Sequence, residues 1–107
     1  MKLKEGDIKL VRLTSGEEII GKVTEHYGGT DKTTSITIKD GVCLIAAEEG
    51  RLGFMRYMPY TKAHKGVWIR MEHVVFIVDP ADEVKDRVQE MTSGIVRADA
   101  SMIQGVK

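Results

Sequence analysis

Up to residue 78 the apolar residues of this chain come in short runs cut by turn signals, and only after Asp79-Pro80 do they fall at helical spacing. Short runs rich in Val, Ile and Thr read as strands, and a later switch to a period of about 3.6 reads as a helix. Ile8 to Thr14 is a first strand, apolar at Ile8, Leu10, Val11 and Leu13. Thr14-Ser15-Gly16-Glu17 is a tight turn, with Gly where a positive φ is easily met. Glu18 to His26 is a second strand that turns Ile19 or Ile20, then Val23, toward a core. Gly21 inside it signals a bend or bulge, as small barrels require. A polar loop, Tyr27 to Thr34, precedes the alternating stretch Ser35 to Lys39. Asp40-Gly41 either closes a two-residue hairpin or marks a bulge in one long bent strand that continues through Val42 to Ala47. After the turn at 48–53, Phe54 to Tyr60 alternates again, with Pro59 fit only for an edge or a strand end. Thr61 to Gly66 is a basic loop. Val67 to Val78 reads as two strand halves broken near Met71-Glu72.

The helical part has its own start signal. Asp79 suits an N-cap, Pro80 the first helical position, and Asp82 and Glu83 the first turn. Val84, Val88, Met91 and Ile95 form an apolar stripe, Glu83 and Arg87 stand one turn apart, and Gly94 suits a C-terminal cap. The expectation is a mostly-β fold: a small five-stranded, bent-strand barrel over residues 1–78, followed by one C-terminal amphipathic α-helix over 79–94 that packs on the barrel. Residues 95–107 are expected to be a tail, partly disordered. The alternative is an open antiparallel sheet with one helix. The stripe is a lid on the barrel or, more sharply, a partner-binding face.

Bulk properties narrow the function classes. With 107 residues and 42% apolar composition the chain supports one modest core. Sixteen basic and sixteen acidic residues cancel to a formal charge of zero. That argues against coating nucleic acid by bulk charge and leaves room for a local basic patch. Cys43 is the one cysteine and sits in an apolar run, so it reads as a small buried hydrophobe, in keeping with a reducing compartment. No span approaches a membrane helix and the first residues lack an apolar leader core, so a cytoplasmic protein is expected. No phosphate-binding loop, dinucleotide fingerprint, nucleophile elbow or paired-Cys zinc motif is present. His26, His64 and His73 are scattered rather than set at metal-ligand spacing. The expectation is therefore no enzyme, no metal and no cofactor.

One stretch, Val11-Arg12-Leu13-Thr14-Ser15-Gly16-Glu17-Glu18-Ile19-Ile20-Gly21-Lys22-Val23, resembles the first Sm motif, with Gly16 at the turn and Gly21 at the strand bend. A second, Ile69-Arg70-Met71-Glu72-His73-Val74-Val75-Phe76-Ile77, resembles the second Sm motif, with Met71 in place of the usual Gly and His73 in place of the usual Asn. The Gly-turn-Gly pattern also occurs in SH3-like barrels. The loop after the second strand holds Asp31 but no Asn, which argues against the family's usual uridine pocket. The helix also follows the barrel here, whereas most Sm proteins place it first. The chain thus resembles a divergent Sm-like member, of a bacterial or bacteriophage type.

The resemblance implies a homo-oligomeric ring, roughly five to seven subunits joined edge strand to edge strand. An exposed apolar edge such as Val74 to Val78 is an aggregation hazard unless paired, and closure removes it. It also implies that the second-motif turn faces the pore, making Arg70 and His73 candidate contacts to nucleic acid. Arg suits that task because its guanidinium both stacks and makes bidentate bonds; its alternative is an ion pair to Glu72 or a neighbour. Lys62, His64 and Lys65, preceded by Tyr57 and Tyr60, form the most basic short segment and read as a single-strand contact or a solvated loop. Tyr27 and Lys32 in the Gly-rich loop are further candidates. Trp68 reads as core or subunit interface. The expected function is binding of single-stranded nucleic acid, RNA before DNA, in processing or chaperoning. The rivals are an assembly scaffold without nucleic acid and an enzyme subunit whose site forms between chains.

Overall fold

The computed structural model describes residues 3–4, 6–29 and 32–92. Its strands are β1 (Asp7–Leu13), β2 (Glu18–Tyr27), β3 (Thr33–Ala46), β4 (Leu52–Arg56), β5 (Val67–Arg70) and β6 (Val74–Val78), followed by the helix α1 (Asp82–Thr92). The fold is mostly β with one C-terminal helix, as the residue pattern predicts. The strands form one antiparallel sheet in the order β4-β3-β2-β1-β6, with β5 also on β3. No described pairing joins β5 to β6, so the bent sheet is open rather than closed into a barrel.

Six strands appear where five were expected because the turn Met71–His73 splits the stretch Val67 to Val78 into β5 and β6. Residues 42–46 of β3 pair with β4 and residues 35–38 with β5, while β2 holds the opposite edge between Thr33 and Cys43. β4 and β5 are thus two halves of one edge, split by residues 57–66. The expected strand from Phe54 to Tyr60 stops at Arg56 for a local reason: Met58 takes a φ of 48° and Pro59 lacks an N–H. Met58 carbonyl then accepts from Thr61 N–H at 3.0 Å and from Thr61 hydroxyl at 2.8 Å, turning the chain aside.

Asp40-Gly41 is a bulge inside β3, not a hairpin turn. Ile20 pairs with Val42 and Lys22 with Lys39, so Asp40 and Gly41 together oppose Gly21. Asp40 adopts a left-handed φ of 54°, a conformation Asp tolerates better than most residues. Its carboxylate stands 3.7 Å from Lys22 Nζ. Gly21 is required by close approach: a Cβ there would lie 2.7 Å from Ile38 Cγ2 and 2.8 Å from Lys39 carbonyl oxygen.

The bend divides the apolar residues between two clusters. Val11, Leu13, Ile19, Val23, Ile36, Ile38 and Ile69 fill the first. Ile20, Val42 and Val88 centre the second, joined by Leu10, Leu44, Phe54, Val84 and Met91. Neighbours Ile19 and Ile20 therefore serve opposite faces of β2, as strand alternation dictates. Each fully buried Ile or Val side chain contributes about 1.5–3 kcal/mol. The helix covers the second cluster through Val88, and Arg87 guanidinium lies 5.9 Å from the Phe54 ring centroid.

The helix begins later than its start signal suggests. Lys85 N–H donates to Ala81 carbonyl, which makes Ala81 the first capping residue. Asp79 is drawn instead to Lys9, carboxylate to ammonium at 2.5 Å, and Pro80 is buried ahead of the helix. The expected helical positions 93–94 and the tail 95–107 lie outside the described residues.

Replacing Gly21 with Ala is expected to destabilise the fold by about 1–3 kcal/mol through overpacking. Gly16 has a φ of 96° and open space around a would-be Cβ, so Gly16→Ala is expected to cost only about 1 kcal/mol of backbone strain. Urea unfolding of the two variants at equal protein concentration checks this order; equal losses would contradict the bulge as the tight point.

Candidate functional site

Two turns are tied together at one end of the sheet. Gly16 N–H donates to Leu13 carbonyl and Leu13 N–H to Glu17 carbonyl, closing the β1–β2 turn. Thr14 N–H donates to His73 carbonyl at 2.8 Å, which anchors the short 3-10 turn Met71–His73 between β5 and β6. The break expected near Met71-Glu72 is this turn. Its fixed position sets Arg70 and His73 beside Thr14, Ser15 and Glu17, around an open cleft of about 470 Å³.

A second open cleft, of about 710 Å³, lies toward the start of β3. Lys32, Thr33, Thr34, Ser35 and Glu72 line it, together with Trp68 and Arg70. Trp68 and Arg70 line both clefts. They share a face because β5 alternates: Ile69 enters the first core cluster, so Trp68 and Arg70 project the other way.

Trp68 is consequently not a core residue. Its relative exposure is 70%, although Trp is usually well buried. The indole is nonetheless tethered, since Nε1–H donates to Ser35 Oγ at 2.5 Å and Ser35 is itself buried.

Arg70 reaches Glu72, Nε to Oε1, at 3.3 Å. Both side chains are about two-thirds exposed, so the pair is solvent-screened and worth about 0–1 kcal/mol. It leaves most guanidinium donors open to an anion. His73 is exposed at the rim of the smaller cleft, and Lys32 is exposed in the larger one. These three candidates are brought together.

The other candidates stand elsewhere. Lys62, His64 and Lys65 are exposed on the 57–66 crossing, and none lines either cleft. His64 instead lines a small crevice with Asp40, Arg56 and Thr92. Tyr27 is exposed at the end of β2, and its hydroxyl donates to Glu25 at 3.3 Å. Glu25 also accepts from Thr33 hydroxyl at 2.8 Å and from Leu3 N–H at 2.5 Å, so it organises the strand end. Asp31 lies outside the described residues.

Trp68 and the hydroxyls of Thr33, Thr34 and Ser35 were missed as site residues. The signal for Trp68 was present in period-two alternation with Arg70. The hydroxyls carry no local signal, because only the β3–β5 pairing sets Ser35 opposite Arg70 and Thr37 opposite Trp68.

Cys43 is half-buried on the inner face of the sheet. Burial pushes its pKa up to about 11, with the nearby Glu17 charge adding to the effect. Burial and then Glu17 also raise the Tyr57 hydroxyl. A protonated thiol is a packing group rather than a nucleophile. Among the described residues no group of three or more His, Cys, Asp or Glu gathers as metal ligands. No described helix is long and apolar enough to cross a membrane. No protein-family model matches the chain, and no curated protein matches it significantly.

The raised Cys43 pKa means that the thiolate is scarce until pH approaches about 11. Disulfide-reagent labelling of the folded protein at pH 8 is expected to run roughly tenfold or more slower than in urea. Equal rates in the two conditions would contradict this burial of the thiol.

Proposed function

We propose that the protein is an Sm-like subunit that assembles into a homo-oligomeric ring and binds single-stranded nucleic acid, RNA in preference to DNA, in a processing or chaperoning role. The observation that carries the reading is the strand-turn-strand at Ile69–Ile77, where Arg70 stands exposed at a fixed turn with His73 and Lys32 around two open clefts. Cations spaced around open clefts suit a phosphate backbone. Repeated by rotation, one such turn per subunit makes a positive collar on a chain of zero net charge.

Assembly is supported by the sheet edges. β6 pairs only with β1 among the described residues, and it exposes Val75, Phe76 and Val78. Among the described residues β5 likewise pairs only with β3, at the other end of the strand order. Two different unpaired edges on one chain favour a head-to-tail contact, which closes into a ring when the rotation allows. A ring of roughly five to seven copies in a bacterial or bacteriophage-infected cytoplasm fits this reading.

A second reading is favoured by Ile45, Leu52 and Met55, which are exposed on β3 and β4. An assembly scaffold would use such a surface to hold another protein.

Fluorescence anisotropy with labelled oligo-uridine and oligo-adenine tests the first reading. Binding at about 50 mM salt is expected to weaken steeply by about 200 mM, and Arg70→Ala is expected to weaken it severalfold and flatten the salt slope. Lys62→Ala with Lys65→Ala is expected to change little, because those residues lie off the clefts. A discrete oligomer without affinity for either strand would overturn the nucleic-acid role and favour the scaffold.

A further inference from the structure

We propose that Trp68 is a base-stacking ridge, on either side of which consecutive nucleotides of a single RNA strand sit. The inference rests on the nucleic-acid reading above and names the group that would grip the bases. Trp68 is the only tryptophan of the chain, and it lines both open clefts, of about 710 and 470 Å³. Both volumes fall within the range that holds small-molecule ligands, about 300–1,000 Å³.

The indole meets two needs of a stacking platform. It is accessible, at 70% exposure, and it is held in place, because Nε1–H is engaged by the buried Ser35 hydroxyl. Ordering the ring before a base arrives removes part of the entropy cost of binding. With its only polar atom already bonded, the ring offers a π-face and no donor. Recognition by such a face tolerates any base.

Charge fits the same occupant. Arg70 stands on the same strand face and borders both clefts, and Lys32 borders the larger one. Lys32 and Arg70 outweigh Glu72 there, with Thr33 and Thr34 adding hydroxyls, so the larger cleft is the side that takes phosphate. Glu17 borders the smaller cleft, which makes it the less favourable side for an anion.

Because Trp68 is unique, its fluorescence reports this site alone. The test uses the full-length protein in its native assembly with unlabelled and labelled oligo-adenine. Before RNA is added, the emission is expected to be red-shifted and readily quenched by acrylamide. RNA is then expected to quench the emission with the same midpoint that anisotropy of the labelled strand gives. Trp68→Ala is expected to weaken binding between about 5- and 150-fold, and Trp68→Phe to retain most of it. Ser35→Ala, which frees the indole, is expected to weaken binding less than Trp68→Ala. Circular dichroism and sedimentation of each variant confirm that fold and assembly persist. Anisotropy that reports binding while the emission stays constant, and Trp68→Ala binding as the parent does, would sink the ridge and leave the nucleic-acid role standing. Acrylamide-shielded emission in the RNA-free assembly would also sink it, by placing Trp68 between subunits. No anisotropy change at all would remove both.

Discussion

The bulge in β3 is the constraint on which the other features depend. Two residues, Asp40 and Gly41, face one, Gly21, and the strand bends there. The bend needs a left-handed backbone at Asp40 and the absence of a Cβ at Gly21. Because of it, one 14-residue strand contributes Ile36 and Ile38 to one core cluster and Val42 to another. Tyr57 N–H donates to Gly41 carbonyl at 2.9 Å, so the edge strand leaves its register beside the bulge. The interruption of that edge then lets β5 begin afresh along the first half of β3. The orientation of Trp68 and Arg70 follows from that register.

A sheet bent this way and left open has two ends. The β4–β5 edge and the β6 edge belong to the same chain but carry different side chains. An open apolar edge such as Val75, Phe76 and Val78 is a liability in a lone subunit. The proposed ring turns it into an interface and repeats the Arg70 turn around an axis. The helix covers the second core cluster through Val88, Ile20 and Val42 and meets the β4 part of one edge at Phe54, leaving the β6 edge uncovered by these contacts.

Much of this is legible in the sequence alone. Gly16 marked a turn and Gly21 a bend, since only glycine meets those demands cheaply. Asp40-Gly41 was legible only as a pair of alternatives, because a bulge and a hairpin use the same residues and differ in what pairs across them. The break at Met71-Glu72 was legible from the interrupted apolar run. Of the two readings of Trp68, core or subunit interface, the core one fails: with Ile69 inward, its neighbour has to face out. The Asp79-Pro80 signal marked the helix but set its start three residues early: α1 begins at Asp82, and the Asp79 carboxylate pairs with Lys9, distant in sequence. The separation of Lys62, His64 and Lys65 from Arg70 depends on the tertiary course of the 57–66 crossing, to which the local sequence is blind.

In the proposed ring, the two unpaired edges of this bent sheet meet each other in a closed assembly. Sedimentation velocity of the purified chain over a wide concentration range tests it most directly. The account predicts one discrete species of roughly five to seven copies whose sedimentation coefficient does not drift with concentration. A species near the 11.9 kDa of the single chain, or a continuous ladder of growing sizes, would contradict it.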